Sequence, residues 1–182
     1  MKFIALLRGI NISGRNKISM AELKSVLQEN NYKKVETYIN SGNVIFESDT
    51  KCKQNLMQDI SRIIKNNFNL DIPVMVIDEN ELEDVLSHGP EWWGTANKSV
   101  YDNLIFIIPP ATFDRIYNTI GQPNDYEKIK DYKNYIFWSY DAKNYSKSNW
   151  WVRTSSTKIK DMITIRTANT MKKVFEKCKT NP

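Results

Sequence analysis

The change of hydrophobic period along the first 77 residues constrains this chain more than any other feature. Residues 2–10 (Lys-Phe-Ile-Ala-Leu-Leu-Arg-Gly-Ile) form a run too short and too β-like for a core helix, and read as a largely buried strand. Alternation puts Lys2, Ile4, Leu6 and Arg8 on one face and Phe3, Ala5 and Leu7 on the other. Ser19-Met20-Ala21-Glu22 fits a capping box, and Met20, Leu23 and Leu27 follow at helical spacing, which predicts a helix over 20–30. Residues 34–39 and 43–47 read as a hairpin turned at Ser41-Gly42, with Glu36, Tyr38 and Asn40 on its alternate face. A second helix over 51–68 turns Leu56, Ile60, Ile63, Ile64 and Phe68 inward, and residues 72–77 give a fourth strand. Strand, helix, strand, strand, helix, strand is the split βαβ order of ferredoxin-like folds.

The second half repeats this outline. Asn103 to Ile108 reads as a strand, Pro109-Pro110 opens a helix through Phe113, Ile116, Tyr117 and Ile120, and Gly121 stops it. A hairpin over 128–132 and 135–138 echoes the run from Lys34 to Phe46, which points to duplication. A poorly patterned helix near 148–159, a strand at 162–166 and a final helix bearing Met171, Val174, Phe175 and Cys178 complete the set, with Lys172, Lys173 and Lys177 outward. The predicted fold is therefore α+β: two tandem ferredoxin-like units with mixed or antiparallel sheets, helices on one face, and a C-terminal helix. The expected division is 1–88, carrying a trailing acidic helix capped by Asp78, then a connecting loop at 89–102, then 103–182. Trp92 and Trp93 lie in that loop and are read as covering the junction.

Charge is distributed unevenly. Residues 1–20 hold Lys2, Arg8, Arg15 and Lys17 without an acid, residues 71–91 hold seven acids without a lysine or arginine, and from Lys143 onward ten bases face Asp161 and Glu176. Such basic ends suit an anionic partner. Cys52 and Cys178 are far apart and lack metal-ligand spacing, so neither a disulfide framework nor a metal site is expected. No apolar run approaches the ~20 residues that span a bilayer, and residues 1–20 lack the pattern of a secretory signal. The expectation is a cytoplasmic protein with no cofactor and no membrane partner.

The strongest candidate site is the stretch from Leu6 to Met20, where the first strand runs into a basic, glycine-punctuated loop. Gly9 and Gly14 have phosphate-loop spacing, but Arg15 and Asn16 stand where Lys and Ser or Thr would meet phosphate and magnesium, and the capping box starts the helix later. A weaker anion site remains, formed by Arg8, Arg15 and Lys17 before a helix N-terminus. The structural alternative is that the glycines supply positive-φ turns while Asn11 and Asn16 satisfy the loop backbone. Arg166-Thr167-Ala168-Asn169-Thr170 is a similar constellation before the last helix. The basic tail with Trp138, Trp150 and Trp151 suggests a single-stranded nucleic-acid mode. His88, the sole histidine, reads as a surface residue at a helix end.

Ala5 to Asn11, followed by Gly14, Lys17 and Met20, resembles the Ala-Leu-Leu-Arg-Gly-Ile-Asn opening of an uncharacterised, mainly bacterial family classed as a domain of unknown function. Thr37-Tyr38-Ile39 with Ser41-Gly42-Asn43-Val44 and Phe46 is a second block similar to that family. The resemblance implies a duplicated ferredoxin-like α+β fold and brings no activity or cofactor. Where the family resembles Arg-Asn-Trp-Asn-Thr, this chain departs, with Thr167 and Ala168 after Arg166.

Together these readings give binding of an anionic ligand, a phosphorylated metabolite or nucleic acid, by Arg8, Asn11, Arg15, Lys17, Tyr38, Ser41 and Asn43, with Arg166 joining from the other unit. The alternatives are an enzyme acting on a small phosphorylated substrate, with Tyr38, Ser41 or Asn43 beside the loop, and a protein-interaction module using Trp92, Trp93, Trp150 and Trp151.

Overall fold

A computed structural model describes residues 1–154 and 158–180. The chain runs β1 (Lys2–Leu7), α1 (Met20–Glu29), β2 (Lys33–Tyr38), β3 (Asn43–Glu47), α2 (Lys53–Phe68), β4 (Val74–Asp78) and α3 (Glu79–Ser87). It continues with β5 (Val100–Ile107), α4 (Phe113–Ile120), β6 (Glu127–Tyr132), β7 (Tyr135–Asp141), a 3-10 turn (Tyr145–Lys147), α5 (Asn149–Thr154), β8 (Ile163–Thr167) and α6 (Ala168–Thr180). Two four-stranded antiparallel sheets result, in the orders β2-β3-β1-β4 and β6-β7-β5-β8. Both are the order that a split βαβ unit produces when its two outer strands flank a central antiparallel pair. The chain is thus α+β with two such sheets and a C-terminal helix.

Two compact units divide the chain: Met1–Glu83 with the segment from Val174 onward, and Asp84–Lys173. Residues 89–102 therefore belong with the second unit and the end of α6 with the first, whereas the sequence reading sets 89–102 apart and keeps the last helix whole with the second half. Side-chain bonds account for both placements. Lys2 Nζ donates to Cys178 O at 2.7 Å and Lys177 pairs with Glu36. Trp93 Nε1 donates to Asn103 O at 2.7 Å, and Asp102 Oδ2 accepts from the amides of Gly94 and Thr95. Lys177 thus faces β2 rather than outward, because Glu36 offers it a carboxylate. Lys172 reaches Gly94 O at 2.6 Å for a similar reason.

In the first unit one face of β1 (Phe3, Ala5, Leu7) meets Val44 and Phe46 of β3 and Val74 and Val76 of β4, and packs on Leu23, Val26 and Leu27 of α1 and Ile60, Ile63 and Ile64 of α2. The other face, with Ile4, Leu6, Ile45, Met75 and Ile77, is buried as well, which explains why β1 reads as an unbroken apolar run. Ser19 caps α1 as its sequence requires, its Oγ accepting from the Glu22 amide at 3.3 Å. Asp78 does the same for α3, accepting from Glu81 at 2.9 Å.

The second unit sets Ile105, Ile107, Ile136, Trp138 and Ile163 against Ile116 and Ile120 of α4 and Trp150 of α5. Here α4 starts later than the proline pair suggests, because Thr112 caps it by accepting from the Arg115 amide at 3.3 Å. The helix expected over 148–159 is described only as the short α5, and residues 155–157 of that expectation lie outside the described residues.

Candidate functional site

The stretch after β1 is a loop that its own side chains lock. Backbone pairing continues briefly, with Leu7 N–H to Gly42 O at 2.8 Å and Arg8 N–H to Pro73 O at 3.0 Å. The chain then turns through positive φ at Gly9, Asn11, Ser13, Gly14 and Asn16. Ser13 and Gly14, at φ 48° and 76°, are the central pair of a two-residue turn closed by the Ile12–Arg15 bridge, which is the I′ signature of tight hairpins. Asn11 is the hub. Its Oδ1 accepts from Ile18 N at 2.9 Å, and its Nδ2 donates to Ile18 O at 2.9 Å and to Asn40 O at 3.0 Å. Asn16 Nδ2 donates to Gly9 O at 3.0 Å and closes the base.

Residues 12–17 are exposed, and Arg15 and Lys17 stand on this tip in no ion pair among the described residues. Glu22 in the first turn of α1 is the nearest acid in sequence and already favours the positive helix end. Arg8 is half-buried at the loop's start, two residues beyond Leu6, whose register partner Asn43 lies opposite Tyr38. Arg8 and Tyr38 therefore follow the same face of the first sheet by alternation.

The β2–β3 turn is brought against this loop, so the two blocks that carry the family resemblance meet in space. Gly42 is required there: at φ +79° a Cβ would lie 2.7 Å from Leu7 Cβ. Asn43 is fully buried, with Nδ2 donating to Tyr38 O at 3.0 Å and Ser41 Oγ at 3.1 Å, so it holds the hairpin together. Tyr38 is half-buried with the Lys177 ammonium 5.9 Å from its ring centroid. Arg166 belongs to the second unit. It is 7% exposed on β8, and its guanidinium donates to Thr164 Oγ1 at 3.0 Å and Ile165 O at 2.8 Å. The hydroxyls after it cap α6, with Thr170 N–H on Thr167 Oγ1 at 3.2 Å.

Other expectations change with burial. Trp138, Trp150 and Trp93 are 2%, 0% and 6% exposed, and only Trp151, at 42%, is open among the tryptophans whose exposure a nucleic-acid or protein partner would need, Trp92 being intermediate. His88 stacks on Tyr132 at 4.3 Å, while Lys133 and Tyr132 hold the Asp84 carboxyl below its usual range. Sequence reasoning missed Glu127. This buried carboxylate accepts from Trp138 Nε1 at 3.1 Å, from the Trp150 amide at 3.2 Å and from the Ser148 hydroxyl. It starts an otherwise solvated strand, and no local pattern marks it. An open cleft of about 630 Å³ in the first unit, lined by Tyr32, Asp59 and Arg62 among others, also went unforeseen and involves none of the eight candidate residues. Among the described residues no cluster of three or more His, Cys, Asp or Glu is arranged to hold a metal ion, and no helix is long and apolar enough to cross a membrane.

The model of the family described as "Protein of unknown function (DUF1697)" matches residues 1–137. The chain belongs to this family. The DUF1697 match takes in residues 5–11 and 37–46 and the loop between β1 and α1, and stops before Arg166. Among solved structures, the conserved bacterial protein SP0830 from Streptococcus pneumoniae is similar at 28% identity with a TM-score of 0.83, covering 96% of this chain and 97% of that one. No curated protein matches the sequence.

Proposed function

We propose that the loop between β1 and α1 binds an anionic, phosphate-bearing small molecule through Arg15 and Lys17, with Arg8 at its base. The observation that carries this reading is the locked loop itself: Asn11 and Asn16 fix the backbone, and the exposed tip presents two cations with no acidic partner among the described residues. A rigid backbone spares binding the cost of ordering the loop, and a guanidinium and an ammonium two residues apart in the chain suit phosphate oxygens. Asn11 takes a positioning role, since both ends of its amide are engaged with Ile18 and Asn40. An enzymatic reading draws support from Tyr38 following the same sheet face as Arg8, but Asn43 is enclosed in the hairpin and leaves Tyr38 and Ser41 to act. Arg166 is not needed for the proposed site.

Native mass spectrometry of freshly purified protein tests the ligand class. A retained mass that carries phosphate and disappears in the Arg15→Ala/Lys17→Ala variant supports the reading. The same mass retained by that variant contradicts it.

A further inference from the structure

The face of the second sheet turned away from α4 and α5 holds a cleft of about 460 Å³. Strand register sets its floor. Lys128 pairs with Ser139 and Ser139 with Asp102, while Asp141 pairs with Val100 and its amide donates to Tyr126 O at 2.9 Å. Paired residues share a face, so Tyr126, Lys128, Ser139, Asp141 and Val100 are neighbours on it. The segment after α3 forms the wall: the Trp93 ring meets Phe137 edge-on at 5.0 Å, and Trp92, Thr95 and Asn97 line the cleft.

The charges around this cleft are of both signs, and they differ in what they already hold. Asp102 accepts from the Ser139 hydroxyl and from the amides of Gly94 and Thr95. Glu127 is occupied by Trp138, Ser148 and Trp150. Lys147 Nζ lies 5.2 Å from the Tyr126 ring centroid. Asp141 Oδ1 accepts from the amides of Asn144 and Lys143 at 2.7 and 2.8 Å, which hold the carboxyl below its usual range. Its Oδ2 accepts no hydrogen bond among the described residues, and exposed Asp125 and Lys128 stand in no ion pair among them.

Uncommitted carboxylate oxygens and an uncommitted ammonium therefore line one cleft, beside the Trp92 and Tyr126 rings and Val100. A phosphate would meet Asp125 and Asp141, and a simple amine would meet Lys128 and Lys147. A small zwitterion satisfies both signs at once. Lys128 and Asp141 are diagonal neighbours on adjacent strands, about 7–8 Å apart in the backbone, a span their side chains can close around a ligand only a few atoms long. We infer that this cleft binds a free α-amino acid with an apolar or aromatic side chain, its ammonium on Asp141 and Asp125, its carboxylate on Lys128 and its side chain against Trp92 and Val100. The volume suits such a ligand, and rings with a few convergent polar groups are the usual lining of a small-molecule site. The proposal stands on the second unit alone and does not depend on phosphate binding at the loop after β1.

Isothermal titration calorimetry of the full chain with phenylalanine, leucine, N-acetylphenylalanine and phenylalaninamide tests it. Saturable binding of phenylalanine or leucine is expected, with each blocked analogue, which lacks one of the two charges, about tenfold weaker or more. Asp141→Asn keeps the oxygen that the Lys143 and Asn144 amides need and removes the charge; it and Lys128→Gln should each weaken binding about tenfold. Arg15→Ala/Lys17→Ala should leave the affinity unchanged. No saturable binding of either amino acid, equal affinity for the blocked analogues, wild-type affinity in both Asp141→Asn and Lys128→Gln, or loss of binding in Arg15→Ala/Lys17→Ala would each overturn the inference.

Discussion

Gly14 and Gly42 share a left-handed backbone but not a neighbourhood. At Gly14, φ +76°, an added Cβ meets nothing within 4 Å, whereas at Gly42, φ +79°, it meets Leu7 Cβ at 2.7 Å and Ile10 Cδ1 at 2.9 Å. Gly14→Ala should therefore cost only the backbone strain, about 1–2 kcal/mol. Gly42→Ala should add an overpacking cost of about 1–3 kcal/mol. Equal midpoints for the two variants in denaturant titrations would contradict this ranking. Cys178 gives a second prediction. It is fully buried, and burial pushes its thiol up to about 12, while Cys52 is exposed. Iodoacetamide at pH 8 should alkylate Cys52 alone in the folded protein and both cysteines after unfolding, as read by mass spectrometry. Prompt alkylation of Cys178 without unfolding would show that α6 does not seal it.

Glu127 acts at the level of elements, because it joins the start of β6 to Trp138 of β7 and to the first turn of α5. Glu127→Ala leaves the Trp138 indole N–H and the Trp150 amide buried without their acceptor, and should destabilise the second unit by about 2–4 kcal/mol. Glu127→Gln keeps a carbonyl oxygen and should cost less; equal midpoints for the two variants in urea would count against the network. The elements themselves were legible in proportion to their periodicity. The run from β1 to β4 was readable because period 2 and period 3.6 alternate cleanly and caps such as Ser19 and Asp78 mark the boundaries. By contrast, α5 has six residues and no apolar stripe, and Thr112 rather than the proline pair begins α4. The candidate site was legible in part. Glycine spacing and the basic residues located the loop, but a sequence does not display burial, and Asn43 is fully buried and bonded within its own hairpin. Burial of Trp138 and Trp150 was hidden for the same reason, since aromatic residues look alike until helices cover them.

For the whole molecule, burial sets a response to alkaline pH. Cys178 is raised from 9.0 to about 12, and Tyr140 from 10.0 to about 12, in both cases chiefly by desolvation. The unfolded chain releases these protons first, so their contribution is fully present below pH 9 and declines as pH rises toward 12. Thermal midpoints measured from pH 8 to 11 should fall progressively above pH 9, and Cys178→Ser should flatten the fall; a profile unchanged by that substitution would remove Cys178 as a cause.

The loop is the central claim, and an amide-resolved NMR titration with inorganic pyrophosphate tests it most directly. Saturable shifts confined to the amides of residues 9–20, and abolished in Arg15→Ala/Lys17→Ala, are predicted. Shifts that fail to saturate, or that persist unchanged in the double variant, would contradict it.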